Sequence, residues 1–238
     1  LTPSAVVVVG TVRALKMHGG KAKTELAKED IPALEKGIPN LLRHVSNIKN
    51  VYKLPCVVAI NRFPTDTDAE IDFIIKKCRE LGVNTVLSTV WAEGGKGGEE
   101  LAREVVRLCE EEKGDFTFSY ELNTSIEEKI EAVVKKIYGG NGISVLPAAK
   151  KQIETLEKLG FSSLPVCIAK TQYSFSDDPS LLGAPENFTV TVKNVKISAG
   201  AGFIVVLTGD ILTMPGLPKS PAAERIDVDE NGKITGLF

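Results

Sequence analysis

The period of the hydrophobic positions changes along the chain, and each change marks an element. Ala5-Val6-Val7-Val8-Val9 and Cys56-Val57-Val58-Ala59-Ile60 are unbroken apolar runs of strand length, the pattern of parallel strands covered on both faces. Thr85 to Val90 reads as a third strand. Between these runs the period lengthens. Ile31, Leu34, Ile38, Leu41, Val45 and Ile48 recur at three and four and share one helix face, with Asp30 placed as N-cap and Pro32 in the first turn. Ile71, Ile74, Ile75 and Cys78 define a second helix over Asp68 to Leu81, closed by Gly82. Leu101, Val105 and Leu108 define a third over Glu99 to Glu112. Strand and helix alternating in this way predict an α/β fold, a parallel sheet with flanking helices.

Beyond the acidic stretch Glu110 to Asp115 the pattern differs. Ser125 to Tyr138 and Pro147 to Leu159 read as helices, the second closed by Gly160. Pro165 to Ala169 and Gly202 to Thr208 read as short buried strands, and Phe188 to Ile197 alternates with Phe188, Val190 and Val192 on one face. The expected organisation is an α/β segment over residues 1–114 followed by a smaller α+β domain over 115–238.

Charge and cysteine content narrow the function classes. A net charge of -2 gives no pull toward nucleic acid or an anionic membrane, and no apolar run approaches the roughly 20 residues of a membrane span. Cys56, Cys78, Cys109 and Cys167 form no CxxC pair, lie in apolar patterns and cluster with no histidine. They predict small hydrophobes in a reducing, cytoplasmic compartment, with neither a disulfide framework nor a metal site. Leu1 stands where a start Met is usual, and a core strand follows at once. The expectation is that further sequence precedes this chain and carries the opening strands of the sheet.

Ligands of open parallel sheets bind beyond the carboxyl ends of the strands, so the residues after each strand are the candidate site. After the first come Arg13, Lys16 and His18, read as a basic loop ended by Gly19 and Gly20. After the second come Asn61, Phe63 and Asp66, with Asp66 and Asp68 as possible caps of the next helix. The order Asn, then Asp, then a helix has a loose analogy in the base-reading loop of P-loop nucleotide hydrolases. After the third comes Trp91, the one Trp of the chain, followed by Gly94, Gly95, Gly97 and Gly98. This glycine-rich stretch suits close ligand approach but has no GxxxxGK[ST] pattern. Phe63 and Trp91 follow neighbouring strands at equivalent positions. They either close on a flat heterocycle from two sides or pack as core. In the second half, Ala169 to Asp178 is dense in hydrogen-bonding groups, and Thr213 to Lys219 is a Pro-rich turn segment suited to docking.

These same segments resemble one family. Val12 to Gly20, Ala59 to Thr67, Trp91 to Gly98, Ala169 to Asp178, Thr213 to Lys219 and Ile234 to Phe238 are similar to formate–tetrahydrofolate ligase, in one order from Leu1 to the last residue. The chain resembles the carboxy-terminal part of the separate, bacterial type of that enzyme. The resemblance implies ATP-dependent formation of 10-formyltetrahydrofolate from formate and tetrahydrofolate through formyl phosphate, in one-carbon metabolism. It implies ATP with magnesium and tetrahydrofolate as substrates, leaves room for a monovalent cation, and suggests a homotetramer. It also implies the later part of a P-loop-type nucleotide-binding fold, with the P-loop itself in a preceding amino-terminal part, so that these residues alone are expected to be inactive. Phe63 and Trp91 become an aromatic clamp for an adenine or a pterin ring, Asn61 and Asp66 shape the loop, and Gly94 and Gly95 admit the ligand. No catalytic residue is assigned; His18 is a candidate base by chemistry and position alone. The rival readings are a non-catalytic binding or scaffold fragment and another P-loop-class ligase. A Rossmann dehydrogenase is disfavoured, since no strand is followed by GxGxxG.

Overall fold

A computed structural model of the chain describes residues 2–209, 211, 219–232 and 234–236. Of the Pro-rich segment Thr213 to Lys219 only Lys219 is among them, and Leu237 and Phe238 also lie outside the described residues.

The first half is built on a parallel sheet. Strands β1 (Val6–Gly10), β2 (Cys56–Asn61) and β3 (Asn84–Ser88) pair in the order β1-β2-β3. Val8 lies opposite Val58, and Val58 opposite Thr85. Helices α1 (Val12–His18), α2 (Ile31–Ser46) and α3 (Asp68–Glu80) connect these strands. Val12, Leu15, Leu34, Ile38, Leu41, Ile71 and Ile74 pack onto Val58 and Ile60 to form the core. After β3 follow the short α4 (Val90–Glu93) and α5 (Glu99–Glu111). α5 lies against β2 and β3, and Val57 and Ala59 are fully buried. β1 is the outer strand and lacks equal cover: Val7 is 38% and Val9 64% exposed.

The predicted helices form, with local differences of physical interest. Asp30 caps α2, accepting from the Ala33 N–H at 2.9 Å, with Pro32 in the first turn. α3 begins at Asp68 as expected, but neither Asp66 nor Asp68 caps it. Its cap is Thr67, in a capping box where Thr67 Oγ1 accepts from the Glu70 N–H and Glu70 accepts from the Thr67 N–H. Thr67→Ala should therefore cost about 1 kcal/mol in urea denaturation. The segment read as a basic loop after β1 is a helix, capped by Thr11, whose hydroxyl accepts from Ala14 N–H at 3.1 Å. Seven residues with Val12, Leu15 and Lys16 buried are too few for a period to declare itself. The third strand ends at Ser88 rather than Val90, because Val90 opens α4.

The second half surrounds a separate core. It contains α6 (Ile126–Val133), β4 (Gly142–Val145), α7 (Pro147–Lys158), β5 (Val166–Ala169), β6 (Thr189–Val192), β7 (Asn194–Ser198) and β8 (Phe203–Leu207). Ser125 caps α6 with a second capping box. The helix continues in a π-turn over Val134–Tyr138, and Ile126, Ile130 and Val134, spaced four apart, are fully buried. The alternating run Phe188 to Ile197 is two strands in different sheets. β6 pairs β4 in parallel, whereas β7 pairs β8 antiparallel and β8 pairs β5 in parallel. β4, short and opened by glycine, is invisible to the hydrophobic pattern. A final antiparallel pair joins β9 (Asp227–Val228) to β10 (Ile234–Thr235). The two halves meet along α2 and the end of α1. Asn40 Nδ2 donates to Gly183 O at 2.9 Å, Asn47 Nδ2 to Ile137 O at 2.8 Å, and Gly183 N–H to His18 Nδ1 at 3.2 Å. Cys56 and Cys78 are buried as expected of small hydrophobes, but Cys109 and Cys167 are exposed. Among the described residues no helix is long and apolar enough to cross a membrane.

Candidate functional site

The carboxyl ends of β2 and β3 present two aromatic rings. β2 ends at Asn61, and the Arg62 N–H donates to Ser88 O at 3.0 Å, which keeps the two strand ends together. The chain then turns tightly. Phe63 N–H donates to Asp66 Oδ2 at 2.8 Å, and Asp66 N–H to Phe63 O at 3.0 Å. Asp66 is 4% exposed and acts as the internal brace of the loop that carries Phe63. Burial pushes its carboxyl pKa up, and the Phe63 N–H only partly opposes this. Its second oxygen, Oδ1, is buried with no hydrogen-bond partner among the described residues.

α1 contributes a residue that sequence reasoning left in a supporting role. The Arg13 guanidinium lies 4.9 Å from the centre of the Phe63 ring, and its Nη2 donates to Thr65 Oγ1 at 3.2 Å. Phe63 thus packs against a cation. Its aromatic neighbour is Trp91, with ring centroids 6.4 Å apart and planes at 41°. Trp91 is 62% exposed, so it is not a core residue. A flat ring sandwiched between two parallel aromatic planes needs about 7 Å. Accepting one requires the exposed indole to swing outward while Phe63 stays fixed.

The glycine-rich stretch divides in two. Gly94 has φ 60° and ψ -144°, a backbone suited to glycine alone, and a Cβ at Gly94 or Gly95 would point into open space. Gly97 is different: a Cβ there would lie 2.5 Å from the Thr89 carbonyl carbon. Gly97 therefore holds the stretch against β3 while Gly94 and Gly95 leave the side of Trp91 open. No signal in the sequence separated these roles, because all four glycines read alike.

Chemically the site offers an apolar slot with a cation beside it. That set suits a planar heterocycle. Among the described residues no three His, Cys, Asp or Glu side chains gather as a metal site requires.

An α/β fold with a parallel sheet flanked by helices, and with aromatic and glycine-rich segments gathered beyond its strand ends, places the chain among the open-sheet α/β proteins. The match to known families is more specific. The model of the formate–tetrahydrofolate ligase family matches residues 1–238, and the chain belongs to that family. Its members are ligases of one-carbon metabolism that join formate to tetrahydrofolate, with ATP as the further substrate.

Proposed function

We propose that these residues form the ring-binding wall of the ligase active site, in which ATP phosphorylates formate and the N10 amine of tetrahydrofolate then attacks the formyl carbon. The products are 10-formyltetrahydrofolate, ADP and phosphate. On this reading residues 1–114 complete a P-loop-type nucleotide- and folate-binding domain, and 115–238 form the smaller α+β domain. The two separate hydrophobic clusters, one within residues 12–83 and one within 126–206, support that division.

The observation that carries the reading is the Phe63–Trp91 pair, open at Trp91 and backed by Arg13. Asn61 and Asp66 shape the loop, and Gly94 and Gly95 clear the approach. On this reading a phosphate-binding loop is supplied by residues outside these 238, which hold no GxxxxGK[ST] pattern. Such a part would extend the sheet by pairing at the outer edge of β1, and its helices would cover the face on which Val7 and Val9 are exposed, because parallel sheets are normally covered on both faces. The reaction then takes place in the cytoplasm in an assembled homo-oligomer, with this chain alone inactive.

Trp91 is the chain's one Trp, and so reports directly on the slot. Titrating the protein with ADP or with tetrahydrofolate should quench its fluorescence in a saturable way. In the intact enzyme Trp91→Ala should raise KM for the same ligand by about tenfold, a stacking loss of roughly 1–1.5 kcal/mol. No quenching by either ligand, together with unchanged KM values, would sink the clamp.

A further inference from the structure

A second concavity opens where the two halves meet. Two of the segments singled out in the sequence build it, Val12 to Gly20 and the stretch after β5, and the proposed clamp uses neither for this purpose. Its volume is about 510 Å³, within the range of small-molecule sites. Ala14, Met17 and His18 reach it from one face of α1, since positions three and four apart on a helix are neighbours. Tyr173, Pro179 and Leu182 close it from the other half.

The polar groups in this cavity agree in character. His18 Nδ1 accepts the Gly183 N–H at 3.2 Å. Burial lowers the His18 pKa, so the ring is neutral at pH 7 and its proton sits on Nε2, where it can be donated. Lys21 and Gln172 also line the cavity, and among the described residues no Asp or Glu does. Lys21 already contacts Asp30 at 2.7 Å, but an ammonium has three donors and a carboxylate neighbour uses one. The walls are otherwise apolar, and Tyr173 (44%) and Leu182 (40%) expose much of their side chains.

We infer that this cavity is a subsite for a small molecule with an apolar, ring-sized body and a carboxylate end. The inference deepens the ligase reading and rests on it in one respect, the choice of ligand: of the substrates of that reaction, the p-aminobenzoylglutamate arm of tetrahydrofolate has this chemistry. The placement is suitable. Arg13, which backs the clamp, and Met17, which lines the cavity, are neighbours one turn apart on α1. His18 lies about 7.5 Å from Arg13 along the axis, five residues at 1.5 Å each. A folate with its ring in the clamp can reach the cavity with its arm.

Free p-aminobenzoylglutamate is the probe, because it carries no pterin for the clamp to hold. Its binding to the whole chain is measured by titration calorimetry, with thermal melting of every variant as a control on folding. Saturable binding is expected. Gln172→Glu and Leu182→Glu, both at exposed positions, put a carboxylate against the ligand's own and should weaken binding about tenfold or more. Trp91→Ala should leave it unchanged. Absence of saturable binding to the unaltered protein overturns the subsite. So does binding that both glutamate variants retain, or binding that Trp91→Ala abolishes. ADP or tetrahydrofolate quenching of Trp91 in the same samples reports on the clamp separately, so either proposal can fail while the other stands.

Discussion

Glu70→Gln is expected to destabilise the fold by about 3–5 kcal/mol, the cost of leaving one member of a buried ion pair uncompensated. Lys16 on α1 and Glu70 on α3 are both fully buried, and Lys16 Nζ lies 2.7 Å from Glu70 Oε1. Both groups make further hydrogen bonds. Lys16 also donates to Lys28 O at 2.9 Å, and Glu70 accepts from the Asp30 N–H at 3.0 Å and the Thr67 N–H at 3.2 Å. The pair therefore bolts α1, the turn before α2 and the start of α3 together behind the Phe63 loop. Burial alone would raise the Glu70 pKa; donation from Lys16 and the two backbone N–H groups outweighs it and holds the pKa below its ordinary 4.5. A depressed carboxyl pKa contributes stability that is fully present above the unfolded value and is lost as pH falls through the folded value. Stability of the unaltered protein should thus decline below about pH 4.5, and this part of the decline should vanish in the variant. Urea midpoints from pH 3 to 7 provide the check. Lys16→Met combined with Glu70→Gln should be less destabilised than the sum of the two single changes, since it removes the stranded ammonium. Additive losses would contradict the ion-pair account.

Gly37→Ala is expected to destabilise although helix propensity argues the opposite. Alanine inside a helix is favoured over glycine by about 1 kcal/mol. But α1 crosses α2 at backbone contact: a Cβ on Gly37 would lie 1.8 Å from Leu15 O, and one on Gly19 would lie 1.9 Å from Ala33 O. Neither obstacle is a flexible side chain, so α1 must shift bodily. Overpacking of this kind costs roughly 1–3 kcal/mol, and more where backbone must move. The clash wins, and Gly37→Ala should lower the thermal midpoint. The displacement carries Arg13 and His18 with it, so binding at the clamp should weaken too. Gly95→Ala is the comparison: its Cβ meets nothing within 4 Å, so it should leave the melting temperature unchanged. A Gly37→Ala protein that melts at or above the parent would show that the two helices do not cross so closely.

The apolar runs of β1 and β2 and the three-four period of α2 and α3 were legible because each encodes its own burial. A continuous run of strand length has few other uses, and a sustained helical stripe must face a core. Local chemistry also declared the Asp30 cap and the Gly82 and Gly160 turns, both at positive φ. Phe63 and Trp91 were legible as candidate site residues because ligands of open parallel sheets sit beyond the strand ends. The period failed where elements are short. α1 hid in seven residues, β4 in four, and the run from Phe188 concealed a change of sheet at Lys193.

The sequence by itself determined the kind of sheet, the helices that cover it and the family, since all three depend on residue types in a fixed order. Only the tertiary structure decided what those residues touch. It turned Arg13 from a loop cation into the support of Phe63, and Asp66 from a candidate cap into a buried brace. It exposed Trp91 and set Gly97 apart from the glycines beside it. It also brought Gly183 to His18 across 165 residues of sequence. The physical reason is that periodicity records whether a side chain is buried, while a site depends on distances between residues that sequence order leaves unrelated.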